Sequence, residues 1–400
     1  MKNGRVFKLL YCLFLVCSVV YVKQHFVSFL TLRQLMAVVM FVLCAIEDRH
    51  FQIDKYFKLY IGFIICYGLS AIATGYFNDF ILRLIGDFFV AFVMYWSTKL
   101  LCQKYDGINA LVWTVMIVGS FDAVVTSFQA LGIHRLDPII NAFNLISYEN
   151  LESWQSSRDD LMGLAIPGIV SHPVVNGQFL LFCFVLSIIG LGKGMFNRIV
   201  GFISTAILFI GIFFCQQRAA FVLAIFIFLY LLYKRVSTRQ FQTKWFLVIV
   251  VTMVLLTVIP QAYDLLMTGN NRYAELGMDS SGRDRIFSQA WHYYLEHPIF
   301  GGYRQYCDEY VYPPHNFILN TLLAGGFLGG FFMFAMVFLQ FKEIVKSCLK
   351  KNEYFVKIVA GMTFVALIGN GMMHNVSLMN GDVMTWVAWG IFLYCDKKTL

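Results

Sequence analysis

Residues 316–341 read NFILNTLLAGGFLGGFFMFAMVFLQF, a run without one charged side chain. As a helix rising about 1.5 Å per residue, it would span ~39 Å, more than the ~30 Å hydrocarbon core of a bilayer. Similar apolar runs lie near 6–22, 26–46, 57–76, 80–98, 108–132, 163–191, 199–215, 219–233, 245–260, 355–373 and 379–395. The pattern predicts an all-α polytopic membrane protein of about twelve transmembrane helices. Composition agrees, with 59% hydrophobic and 14% charged residues in 400 and a mean hydropathy of +0.68, which excludes an ordinary soluble domain and a disordered chain.

Charge placement orients the bundle. Of the 31 Lys and Arg, 21 fall in alternate loops and at both termini if the N-terminus is cytoplasmic, eight fall in the opposite loops, and Arg33 and Arg83 lie inside spans. Basic residues are retained on the cytoplasmic side, so both termini are expected inside, and the net charge of +8 needs no nucleic acid to explain it. Lys2, Arg5 and Lys8 precede an apolar stretch as in a signal peptide, but no small-x-small cleavage site closes it, and it reads as a retained first helix. The ten cysteines sit mainly in or beside apolar runs, without Cys-x-x-Cys spacing, which supports neither a disulfide scaffold nor a zinc site.

Three regions follow: 1–260, nine spans with an outer loop at 133–162; 261–315, a large extracytoplasmic loop; and 316–400, the last three spans. At 55 residues, 261–315 is far longer than the usual connection of about 4–6, so function is expected there. Within it, Ser280 to Leu295 places Ile286, Ala290, Tyr293 and Tyr294 at helical spacing, which predicts a short amphipathic helix ended by His297-Pro298. Gly301-Gly302 marks a turn, and Pro313-Pro314 leads His315-Asn316 to the outer end of the next span.

Charges within hydrocarbon are costly and face the bundle interior or a wet cavity. Arg33, Arg83, Asp87 and Asp122 all come out in the external half, although loops alone chose the orientation. Arg83 and Asp87, four residues apart, can pair on one helix face; Arg33 has a snorkelling alternative and Asp122 a helix–helix hydrogen-bonding one. Arg218 lies in Gln216-Gln217-Arg218-Ala219-Ala220 at the outer junction of two spans. Guanidinium forks suit phosphate oxygens, so several arginines here would suit the diphosphate head of a membrane lipid. Of the eight histidines, His315 is placed for proton transfer where the loop re-enters the membrane, while His172, His297 and His374 have packing as the commoner reading. No His-x-x-x-His pair or carboxylate cluster with ligand spacing occurs, so no metal is expected.

Gln217-Arg218-Ala219-Ala220, Gly282-Arg283 through Trp291, His297-Pro298-Ile299-Phe300-Gly301, His315-Asn316 opening a Gly-rich span, and Ser171-His172-Pro173 through Asn176-Gly177 together resemble motifs of the O-antigen ligase and polymerase superfamily, in its order, over about 170–330. The chain departs from that pattern in having Gly301-Gly302-Tyr303 where the family often has Gly-x-Gly, and a stretched His-Pro-x-x-Asn; upstream the likeness is in hydropathy. The resemblance implies bacterial inner-membrane enzymes joining glycans carried on undecaprenyl diphosphate, on a helical fold similar to lipid-linked-sugar glycosyltransferases. It implies that Arg218 and Arg283 bind the donor diphosphate, that His315 is the catalytic histidine, and that transfer needs neither metal nor cofactor. Arg33, Arg83, Asp87, His172, Arg285, His297, Arg304 and Asn316 are then expected around the substrate.

The leading expectation is polymerisation of lipid-linked repeat units into O-antigen, capsule or exopolysaccharide at the outer face. Its partners would be glycan donor and acceptor, membrane lipid, and a chain-length regulator or flippase. A ligase moving finished glycan to another acceptor uses the same chemistry. A flippase or transporter is the rival class, but transporters commonly carry midplane sites, and here the charges favour one side.

Overall fold

In a computed structural model of the chain, the residues described are 2–20, 25–27, 30–49, 52–136, 138, 166–170, 173–192, 195–236, 283–310, 313–350, 353–374 and 378–395. The helices are α1 (Lys2–Val20), α2 (Leu32–Glu47), α3 (Lys55–Ala73), α4 (Phe77–Arg83), α5 (Phe89–Gln103), α6 (Ile108–Ala130), α7 (Pro173–Ser187), α8 (Met195–Phe214) and α9 (Arg218–Val236). The two short loop helices are α10 (Arg283–Glu296) and α11 (Tyr303–Tyr310), and the bundle closes with α12 (Phe317–Leu349), α13 (Phe355–Gly371) and α14 (Val383–Tyr394). A π turn, Leu84–Phe88, joins α4 to α5. By length and composition, Lys55–Ala73, Phe77–Gln103, Ile108–Ala130 and Phe317–Leu349 can cross a membrane; Pro173–Ser187, Ile199–Phe214, Phe355–Gly371 and Val383–Tyr394 are shorter apolar helices.

Two expected spans start later than their apolar runs do. The run at 26–46 opens as a small antiparallel ladder, His25–Val27 against Leu30–Thr31, and turns helical at Leu32. A capping box sets that start: the Thr31 side chain accepts from Gln34 N–H, and Gln34 Oε1 accepts from Thr31 N–H at 2.9 Å. The run at 163–191 becomes helical at Pro173, because Pro167 and Gly168 (φ +58°) interrupt it. Side chains of α6 accept the freed backbone donors, Gln129 Oε1 from Gly168 N–H at 3.0 Å and Asp122 Oδ1 from Ile169 N–H at 2.8 Å. Among apolar helices, buried backbone groups need such partners. The run at 245–260 and most of the loop at 133–162 lie outside the described residues.

Aromatic side chains lock the helices together. Trp386 of α14 meets Tyr60 of α3 at 4.8 Å between ring centroids, and Phe57 stacks on Tyr95 of α5 at 5.5 Å. One end of the bundle holds lysine–carboxylate pairs, Lys99 to Asp48 at 3.1 Å and Lys104 to Glu47. The opposite end carries Arg33, Arg83, Arg304 and the loop helices. There α12 breaks at Gly326 (φ +61°, ψ −163°), and the segment after α10 docks into the break. Phe327 N–H donates to Pro298 O at 2.8 Å, and Gly302 N–H donates to Leu323 O at 2.7 Å. A Cβ on Gly326 would overlap the Ile299 carbonyl, and one on Gly301 the Leu323 carbonyl, so glycine is what lets the two backbones meet.

Candidate functional site

Arg218 is the first residue of α9, after a turn in which Gln216 adopts φ +59°. Gln217 is buried against Gly177 of α7, where a Cβ would come within 2.7 Å of Gln217 Cγ. Its Nε2 has no hydrogen-bond partner among the described residues. Arg283 opens α10. Burial and the neighbouring Arg218 guanidinium push its pKa below the ordinary arginine value. Arg218 and Arg283 thus each open a helix, where the dipole adds positive potential, and the Arg218 charge acts on Arg283.

His315 sits at φ +52°, a left-handed conformation that a non-glycine residue rarely adopts. It directs the chain from Pro313-Pro314 into α12, whose first turn is capped by Asn316 Oδ1, accepting from Ile318 N–H at 2.9 Å and Leu319 N–H at 3.1 Å. Asn316 Nδ2 donates to Met372 O at 2.9 Å, which ties this entry to the end of α13. Near that same end, Gly369 faces Leu223, in the second turn of α9. His315 and Arg218 therefore begin helices that both pack on the last turn of α13. Strained backbone of this kind is often found at functional sites.

The other expected site residues divide. Arg83 does not pair with Asp87 as their spacing suggested. Asp87 lies within the π turn, where Gly86 lets α2 come close, so Asp87 pairs with Arg33 instead. Arg83 Nη1 donates to Asn380 Oδ1 at 3.0 Å, and its guanidinium lies 5.3 Å from the Tyr303 ring centroid. Arg304 Nε is 3.3 Å from both Asp79 and Asp308 carboxylates. Arg285 is exposed on α10. The exposed His297 stacks on Tyr293 at 4.5 Å with Nδ1 donating to Tyr293 O at 3.1 Å, a helix-ending role. His172 lies outside the described residues.

Gln178, Asn370 and Asp382 escaped the reading of the sequence because their partners lie in other helices, whereas Asn176 was read only as part of a motif. Gln178 links α7 to both closing helices, Nε2 donating to Asp382 Oδ2 at 3.0 Å and Oε1 accepting from Asn370 at 2.9 Å. Asn176 Nδ2 donates to Thr126 Oγ1 at 3.1 Å and Ile166 O at 2.9 Å. Amides inside apolar helices are the signal that would have found them. Among the described residues, no group of three His, Cys, Asp or Glu could hold a metal ion.

Helices long and apolar enough to cross a membrane define the class, a helical membrane protein. Residues 203–334, from α8 to the middle of α12 and including Arg218, Arg283 and His315, match the family model described as O-antigen ligase, and the match supports the O-antigen ligase and polymerase superfamily, whose members transfer glycans. With the apolar helices it points to a multi-pass inner-membrane protein. No curated protein matches the chain.

Proposed function

We propose that the chain polymerises undecaprenyl-diphosphate-linked repeat units at the outer face of the cytoplasmic membrane, on twelve spans with both termini inside. The observation that carries this reading is that the family-matched segment holds Arg218, Arg283 and His315, and that the helices entered at Arg218 and at His315–Asn316 meet at the last turn of α13. In the transfer step, an acceptor hydroxyl oxygen attacks the anomeric carbon of the donor glycan while the bond from that carbon to the diphosphate oxygen breaks. The diphosphate leaves with the electron pair, and the two guanidiniums stabilise its growing charge. His315 takes the hydroxyl proton as general base, a contribution of about 10²–10⁴ in rate. Arg33 and Asp87 neutralise each other at the same end and serve to hold α2 on the π turn.

A ligase would use the same step with another acceptor, and lipid-linked intermediates separate the readings. In cells carrying His315→Ala, single repeats should accumulate on the outer face. Long polymers left on undecaprenyl diphosphate would instead identify a ligase, and single units stranded on the inner face would identify a flippase.

A further inference from the structure

A cavity lies between α3, α4 and α11. Its volume is about 260 Å³, with walls that include Tyr67, Tyr76, Asp79, Arg83, Tyr303 and Arg304 and the hydroxyls of Ser70 and Thr74. Tyr303 and Arg304 lie within the matched segment 203–334; the opposite wall lies outside it, in the N-terminal part. The volume falls below the ~300–1,000 Å³ of sites for drug-sized ligands and suits a single sugar ring.

Its electrostatics differ from those at Arg218 and Arg283. There one guanidinium acts on another of the same sign. Here Arg304 stands between Asp79 and Asp308, whose other oxygen accepts from Tyr76 OH at 3.0 Å, and Arg83 is held by a neutral amide and the face of Tyr303. The charges nearly balance, so the cavity does not call for a phosphate. It offers aromatic faces for C–H-rich ring surfaces and alternating donors and acceptors for hydroxyls. Tyr76, Asp79 and Arg304 are partly exposed, so the cavity opens outward and a glycan could enter.

We propose that this cavity is a saccharide subsite, holding a neutral sugar ring of the glycan away from the diphosphate. The proposal rests on the glycan-transfer reading, and the packing supplies a reason for two separate places. Tyr306 of α11 stacks edge-on with Tyr293 of α10 at 5.5 Å, so the loop that brings Arg283 to α9 also brings Tyr303 and Arg304 to α4. One docked loop would then set the register between sugar and diphosphate.

The test uses the full chain purified in detergent, with the host's own repeat-unit oligosaccharide released from its lipid by mild acid and therefore lacking diphosphate. Saturation-transfer NMR should detect binding, and titration should show it weakened roughly tenfold or more by Asp79→Asn and by Tyr76→Ala, the loss of one charge-assisted hydrogen bond or one stacking face. Thermal melts compare the variants with the parent, and Asp79→Asn, which keeps the side-chain shape, decides the matter if Tyr76→Ala melts early. Arg218→Ala should leave binding of this probe unchanged. Absence of binding to the parent protein, equal binding to Asp79→Asn, or loss of binding in Arg218→Ala would each overturn the subsite. Should Arg218→Ala cells still make polymer while the titrations go as expected, the transfer mechanism fails and the saccharide site stands.

Discussion

Gly326→Ala tests whether the docked loop is what assembles the outer end. The residue holds φ +61° and ψ −163°, a region essentially reserved for glycine that costs an alanine about 2 kcal/mol, and its new Cβ would overlap the Ile299 carbonyl. Relief requires the loop to lift, which breaks the bonds from Phe327 N–H to Pro298 O and from Gly302 N–H to Leu323 O, each worth about 1 kcal/mol net. Together the docked state should lose roughly 3–4 kcal/mol, a shift of about 10²- to 10³-fold in the docking equilibrium. Hydrogen–deuterium exchange resolves this at the Gly302 and Phe327 amides, which should exchange faster by that factor, up to the limit of free exchange. Gly325→Ala is the control. Its Cβ would meet Phe63 Cε2 at 3.4 Å, an ordinary contact on a helical residue, and exchange should stay near the parent rate. Unchanged exchange in Gly326→Ala, or equal acceleration in both variants, would refute the view that the α12 break holds the loop.

Two further outcomes check the site and the topology. Arg218→Lys and Arg283→Lys should rescue polymer poorly, because a point charge lacks the guanidinium fork; polymer levels close to the parent in both lysine variants, read on glycan gels, would remove the bidentate clamp. A cysteine introduced as Gly269→Cys in a Cys307→Ser background should react with an impermeant thiol reagent in intact cells, whereas protection at 269 with labelling at 234–244 would invert the bundle.

Hydropathy carried the helices well, because a bilayer demands apolar runs that local composition cannot hide. Helix α10 was also legible, since Ala290, Tyr293 and Tyr294 are the positions it buries. Helix α11 was not. Its eight residues are mostly polar or tyrosine, and its burial of Tyr303 and Tyr306 comes from α4 and α10 rather than from its own periodicity. Spacing suggested an Arg83–Asp87 pair because it assumed α-helical geometry, and the π turn has no local signature that would have warned against it. Gly325-Gly326 read as part of a glycine-rich span; that one of them is a docking break depends on backbone from 297–302, which no window of sequence contains. Arg218 and Arg283 were expected in one role, and periodicity could not say how the long interval of chain between them is bridged.

The central claim, glycan transfer at an arginine pair, is tested most directly with the protein reconstituted in vesicles and supplied with lipid-diphosphate-linked repeat units extracted from its host, in excess EDTA. The parent protein should convert single repeats into longer glycans on the lipid, and Arg218→Ala and Arg283→Ala should each slow this by about 10²-fold or more, the usual cost of removing one donor to a developing oxyanion. Full elongation by both alanine variants, or elongation that EDTA abolishes and Mg²⁺ restores, would contradict the account.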